Sequence, residues 1–151
     1  MCGKVSLIYF RADAGFANPE VYEFLEAERI KYAIRLPTNR VLQERIGYLL
    51  KRPVGRPSND VRRSYASFTY QAESWSKPRR VIAKVEWHPG ELYPRVGFIV
   101  TNMSRPAKNV VAFAILSGGR HFDHETPIRP TVIGLSHGVA SGFRSCFALS
   151  I

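Results

Sequence analysis

Acidic side chains are scarce in this sequence: 12 Asp and Glu stand against 22 Lys and Arg in 151 residues, a formal charge of +10 at pH 7. Hard divalent cations take most of their protein ligands from carboxylates, so the shortage narrows the metal chemistry open to the chain. Cysteine is rarer still. Cys2 and Cys146 stand near opposite ends, too few for a disulfide framework and without the paired spacing of a zinc site, a usage that fits a reducing cytosol. No apolar run approaches the roughly 18 residues needed to span a bilayer, and the brief apolar opening through Phe10 is too short for a signal peptide. No internal repeat is visible. With 45% apolar residues the chain can bury a core, and the expectation is one soluble, cytoplasmic domain.

The positive charge is unevenly distributed. Residues 1–39 carry five basic and five acidic side chains, residues 40–110 carry fourteen and five, and residues 111–151 carry three and two. The middle segment therefore holds +9 of the total, the footprint of a protein that meets polyanions.

Periodicity divides the chain into two textures. Val5 to Phe10 reads as a buried strand, Asn18-Pro19 opens a helix whose stripe is Val21, Phe24 and Leu25, and Lys31 to Leu36 reads as a second strand. Strand, helix and strand make a unit the size of a βαβ crossover. Arg40 to Leu50 is expected to be another helix, followed by an exposed Pro/Gly loop at 51–60. From Ser64 the period becomes two, which predicts three antiparallel strands at 64–72, 80–87 and 96–101, joined through 73–79 and 88–94. Past Phe113 the texture is Gly-rich and patternless, with possible short strands at Val132-Ile133-Gly134-Leu135 and from Phe143 to Ile151.

Two sets of residues carry candidate chemistry. Asp13 follows the first apolar run, at the strand end where open α/β sheets bind ligands and where a carboxylate can hold Mg²⁺. The basic middle supplies Arg40, Lys51, Arg52, Arg56, Arg62, Arg63, Arg79 and Arg80 as candidate DNA contacts, since guanidinium groups bind phosphates bidentately. Tyr65, Tyr70 and Trp75 lie between them, either as base-stacking platforms or as ordinary core aromatics. Lys51-Arg52-Pro53-Val54-Gly55-Arg56-Pro57 is similar to a minor-groove AT-hook, with Val54 in place of its first core arginine. His121, Asp123, His124 and Glu125 are metal-capable but lack His-Glu-x-x-His spacing. Ser117-Gly118-Gly119-Arg120 and Ser141-Gly142-Phe143-Arg144 do not form Walker-type loops and read as turns.

Tyr9-Phe10-Arg11-Ala12-Asp13-Ala14-Gly15-Phe16, Tyr32-Ala33-Ile34-Arg35-Leu36, the 51–57 loop and Gly97-Phe98-Ile99-Val100-Thr101-Asn102 together resemble bacterial insertion-sequence transposases of the DDE type. The resemblance implies a partial RNase H-like α/β domain, with Asp13 as the second catalytic Asp and an antiparallel β-rich insertion. It also implies Mg²⁺ in the intact enzyme and transposon-end DNA as partner. Residues 1–63 would be the catalytic segment, 64–113 the insertion and return to the core, and 114–151 a tail outside the family pattern. The family's first Asp and its Glu helix have no counterpart here, since Pro127 breaks any helix around Glu125. The expectation is a truncated transposase that binds DNA without completing the two-metal site, its first strand left with an unpaired edge open to self-association. A sequence-tolerant DNA-binding module and a nonfunctional product of a decayed element are the rival readings.

Overall fold

A computed structural model of the chain describes residues 7–115 and 131–134. In chain order these form β1 (Ile8–Ala12), a 3₁₀ turn (Ala14–Phe16), α1 (Pro19–Ala27), β2 (Lys31–Leu36), α2 (Arg40–Arg45), β3 (Arg62–Tyr70), β4 (Arg79–Trp87), β5 (Arg95–Thr101), α3 (Ala107–Ile115) and β6 (Thr131–Gly134). The metal-capable residues at 121–125, the two Gly-rich turns, the possible strand at 143–151 and both cysteines lie outside the described residues.

Local chemistry sets the element starts. Asn18 and Asn39 each place a side-chain oxygen on a helix-opening N–H, that of Glu20 at 3.1 Å and that of Leu42 at 2.8 Å. Pro19 then occupies the first turn of α1, where its missing N–H costs nothing. The helix expected to reach Leu50 stops at Arg45. Beyond it Leu49 N–H reaches Ile46 O at 2.8 Å and Leu50 N–H reaches Gly47 O at 3.2 Å, so tight turns replace the helix where Gly47 lowers its propensity. Leu42 and Ile46 stay buried in this arrangement.

The strands form one mixed sheet, ordered β3-β4-β5-β2-β1-β6. β1 and β2 are parallel, as their α1 crossover requires, and every other neighbouring pair is antiparallel. Strand alternation sorts the core into two layers. Ile34, Val81, Val85, Phe98 and Val100 meet Tyr22, Leu25, Leu42 and Ile46 on one face, whereas Ala33, Ile82 and Ile99 meet Val110, Val111 and Ala114 of α3 on the other. Coverage on both sides explains why β4 is buried almost throughout.

Two expectations are corrected, and one reading left open is decided. β1 is not an open edge, because β6 pairs with it from Ile8↔Gly134 to Arg11↔Thr131. The buried stripe of α1 is Tyr22 and Leu25, with Phe24 half-exposed, because the neighbouring aromatic Tyr32 stacks on Tyr22 at 5.7 Å. Trp75 is buried rather than displayed, edge-on to both Tyr22 and Tyr70.

One charged contact joins α1 to the start of β4. Glu26 receives Arg79 Nε at 2.9 Å, Lys77 Nζ at 2.6 Å and the Tyr32 hydroxyl at 2.8 Å, and the Arg79 guanidinium lies over the Tyr22 and Trp75 rings. Burial alone would raise the Glu26 carboxyl, but hydrogen bonds from Arg79, Lys77 and Tyr32 outweigh it and hold the group below the usual carboxylate range. Stability from a carboxyl lowered on folding is complete above its unfolded value and is lost as pH falls through the folded one. The wild type should therefore lose more stability than Glu26→Gln between neutral and strongly acid pH, measured by urea midpoints; parallel profiles would contradict this. At neutral pH Arg79→Met should cost about 3 kcal/mol, because it leaves a largely buried carboxylate short of its main partner.

Candidate functional site

β1 delivers Asp13 to the C-terminal end of the sheet's parallel pair. The residue is extended (φ −80°, ψ 174°), and its Oδ1 accepts the Ala14 N–H at 2.6 Å while its carbonyl accepts the Phe16 N–H at 3.0 Å. These two bonds turn the chain from β1 toward α1 and fix the carboxylate at the turn, half-exposed.

Arg35 lies within electrostatic reach of this position, and Arg11 precedes it on β1. Arg11, two residues earlier on the same alternating face, is 7% exposed. Its Nη1 donates to the Phe113 carbonyl at 3.2 Å and its guanidinium sits 5.8 Å from the Phe113 ring centre, while Nε finds no partner among the described residues. Burial lowers its pKa. Arg35 of β2 is also lowered by burial, an effect that the charge of Asp13 partly offsets. Among the described residues no three His, Cys, Asp or Glu side chains come together as a metal site. Mg²⁺ prefers six oxygens, and the one carboxylate that the described residues offer here, already engaged by a backbone N–H and within reach of the Arg35 charge, does not by itself fit a resident ion.

The structure divides the eight candidate DNA contacts. Lys51, Arg52, Arg56 and Arg62 are exposed, and none of them forms an ion pair among the described residues. Arg40 is exposed and paired along α2 with Glu44 at 2.9 Å. Arg63 is half-exposed but holds the buried Glu86 at 2.9 Å. Arg80 is committed to the Ser67 hydroxyl at 2.8 Å and the carbonyls of Met103 and Arg105 at 2.7 and 2.8 Å. Arg79 departs furthest from the expectation, since its side chain is only 2% exposed and is held by Glu26.

Register staggers Asp13 and the unpaired cations. Ala12 lies beside Ile34, Ile34 beside Val100, Val100 beside Val81 and Val81 beside Phe68, so Asp13 follows at the level of Ser67, whereas Arg62, beside Trp87, lies five residues farther in the direction in which β1 runs, about 17 Å along the strands and four strands away. Arg52, Arg56 and Arg62 line a depression with Trp87, His88, Asp60 and Glu91, which seats the basic loop against the β4–β5 connection. Gly55 in this loop has φ +118°, a conformation that disfavours any side chain. Three strand spacings separate β1 from β4, about 14 Å.

Sequence reasoning overlooked Arg11 and Arg35. The available signal was the alternation Tyr9, Arg11, Asp13, which puts a cation and the carboxylate on one face.

Residues 4–115 match the family model described as Transposase DDE domain group 1. No curated protein and no solved structure matches the chain.

The buried Arg11 and Arg79 differ in what neutralises them. Arg79→Met strands a carboxylate, whereas Arg11→Met removes a buried cation that has no carboxylate partner among the described residues and adds apolar packing against Phe113. Thermal melts should show Arg11→Met at or above the wild-type Tm; a fall comparable to that of Arg79→Met would refute this assignment.

Proposed function

Because the chain belongs to the DDE transposase family, we propose that it is the DNA-docking part of an insertion-sequence transposition enzyme and does not cleave DNA as a single chain. In this reading residues 1–63 are the RNase H-like catalytic segment, 64–113 the β-rich insertion with its return to the core, and 114–151 a tail outside the family pattern. Asp13 corresponds to the second acidic residue of the family's triad. DDE transposases generally use divalent metal ions, and Mg²⁺ would serve the intact enzyme once further carboxylates joined Asp13. The cellular site of action is the cytoplasm. No helix among the described residues is long and apolar enough to cross a membrane.

The observation that carries this reading is the exposed set of Lys51, Arg52, Arg56 and Arg62, three of which line one depression beside the β4–β5 connection. A duplex can meet these cations through its phosphates. Phosphate contacts position DNA without reading its sequence, so affinity should be broad and strongly salt-dependent. The alternative, a DNA-binding module unconnected with strand cleavage, uses the same arginines and makes Asp13 only a turn-forming residue, as its bond to Ala14 N–H permits.

Duplex binding followed by anisotropy across a salt series tests the docking surface. Replacing Arg52 and Arg56 together by Ala should reduce the log–log salt slope by roughly two, whereas Arg79→Met should leave it unchanged. Binding indifferent to salt would remove the proposal. Incubation of terminal-repeat DNA with Mg²⁺ or Mn²⁺ should give no nicking; robust nicking abolished in Asp13→Ala would overturn the claim of inactivity.

A further inference from the structure

Arg40, Arg63, Arg79 and Arg95 each hold a Glu carboxylate, at 2.9, 2.9, 2.9 and 2.6 Å. Arg52, Arg56 and Arg62 hold none among the described residues, yet all three line one depression between the 51–60 loop and the β4–β5 connection. The acids on its wall are Asp60, which is exposed, and Glu91, which Arg95 engages. Three cations gathered in one concavity repel each other, so the depression is complementary to an anion. It encloses about 60 Å³. That is the share of roughly two waters, room for a phosphoryl group but not for a nucleobase. A Cβ placed on the wall glycines Gly55 or Gly90 would meet nothing within 4 Å, so the approach is open there.

We propose that this depression seats a terminal phosphate monoester of DNA in preference to the diesters along its backbone. The inference rests on the DNA-docking reading and adds which phosphate the three arginines select. A monoester end presents three free acceptor oxygens and carries more than one negative charge at neutral pH, whereas each backbone phosphate carries a single charge and has two of its oxygens tied to sugars. Arg52, Arg56 and Arg62 can each take one oxygen of a terminal group in a charge-assisted hydrogen bond, while a diester leaves one of them without an acceptor. Volume selects in the same direction. A phosphate inside the backbone brings a sugar on both sides, which a depression of this size does not admit, and a terminal group projects past the last sugar. Both the 5′ and the 3′ end offer this chemistry, and a free phosphate ion shares it.

Duplexes of one sequence bearing a 5′-phosphate, a 3′-phosphate or neither separate these sources. At fixed salt and neutral pH, one phosphorylated duplex should bind about five- to tenfold more tightly than the hydroxyl duplex. A hydroxyl duplex one base pair longer, which adds comparable charge, should gain only about twofold or less. Inorganic phosphate, at ionic strength matched with chloride, should erase the preference. Replacing Arg52 and Arg56 together by Ala, or Arg62→Gln alone, should bring the ratio to about one. Arg45→Ala, which removes an exposed cation outside the depression, should leave it unchanged. Matching circular dichroism spectra would establish that the variants remain folded. Equal affinity for all the duplexes with the salt slope intact would overturn the terminal seat and leave DNA docking standing, whereas absence of binding to any duplex would remove both. Calorimetric binding of inorganic phosphate without an end preference would assign the depression to the free ion and overturn the DNA source. A preference that survives in the arginine variants would overturn its placement in this depression.

Discussion

β2 sets the geometry on which the rest of the sheet depends. It is parallel to β1 on one side and antiparallel to β5 on the other, with Tyr32, Ala33 and Ile34 buried against both layers. Side chains following β5 secure its entry: the Thr101 hydroxyl donates to Tyr32 O at 2.6 Å, Asn102 Oδ1 accepts the Tyr32 N–H at 2.9 Å, and Asn102 Nδ2 donates to Ile30 O at 2.8 Å. Such buried backbone groups are costly to leave unpaired, so β5 has little freedom to slide along β2. A one-residue slip would also exchange the two faces, moving Ile99 into the α1 layer and Phe98 into the α3 layer. With β5 fixed, the antiparallel β4 and β3 must bring their Trp87 and Arg62 ends to the side where β1 ends at Asp13.

Burial, more than composition, decides what the positive charge can do. The middle segment looks uniformly basic in sequence, but folding withdraws Arg79 into the aromatic cage of Tyr22 and Trp75 and spends Arg80 on carbonyls ahead of α3. Lys84 is likewise buried, with Glu86 2.6 Å away. What remains accessible is concentrated on the loop after α2 and the first residues of β3. Pro53, Gly55 and Pro57 interrupt regular pairing there and keep the Arg52 and Arg56 side chains in solvent. The same long side chain is therefore a structural bolt at 79 and a phosphate contact in the proposed role at 52.

Elements with strong local signals were legible from sequence. Asn18-Pro19 marks the start of α1, alternating residues reveal β2 and the three-strand meander, and the 51–60 stretch declares itself an exposed loop. What escaped depends on distant partners. Nothing near Arg79 in sequence announces Glu26, 53 residues away. Phe24 and Tyr22 both suit the inner side of a short helix, and only the Tyr32 ring beneath Tyr22 selects between them. The short α3 lacked a recognised boundary, although its Val110-Val111 pair packs on Ile82 and Ile99 once the sheet exists. The short strand at 132–135 was legible and appears as Thr131–Gly134, but its pairing with β1 was not, because nothing local to it selects that distant partner. At the candidate site, Asp13 was legible by its place after an apolar run, but its arginine neighbourhood required the parallel register of β1 and β2.

That neighbourhood separates two parts of the proposed function by their charge balance. A divalent ion at Asp13 would add positive charge within reach of Arg35, against one carboxylate that already accepts a backbone hydrogen bond. Its affinity there depends on further carboxylates to offset both the ion and the Arg35 guanidinium. DNA has the opposite effect, because each phosphate brings negative charge toward the exposed cations and releases counterions as it docks. In the proposed function, docking would draw on the exposed cations alone, whereas metal-assisted cleavage would need acidic groups beside Asp13 that the described residues do not supply.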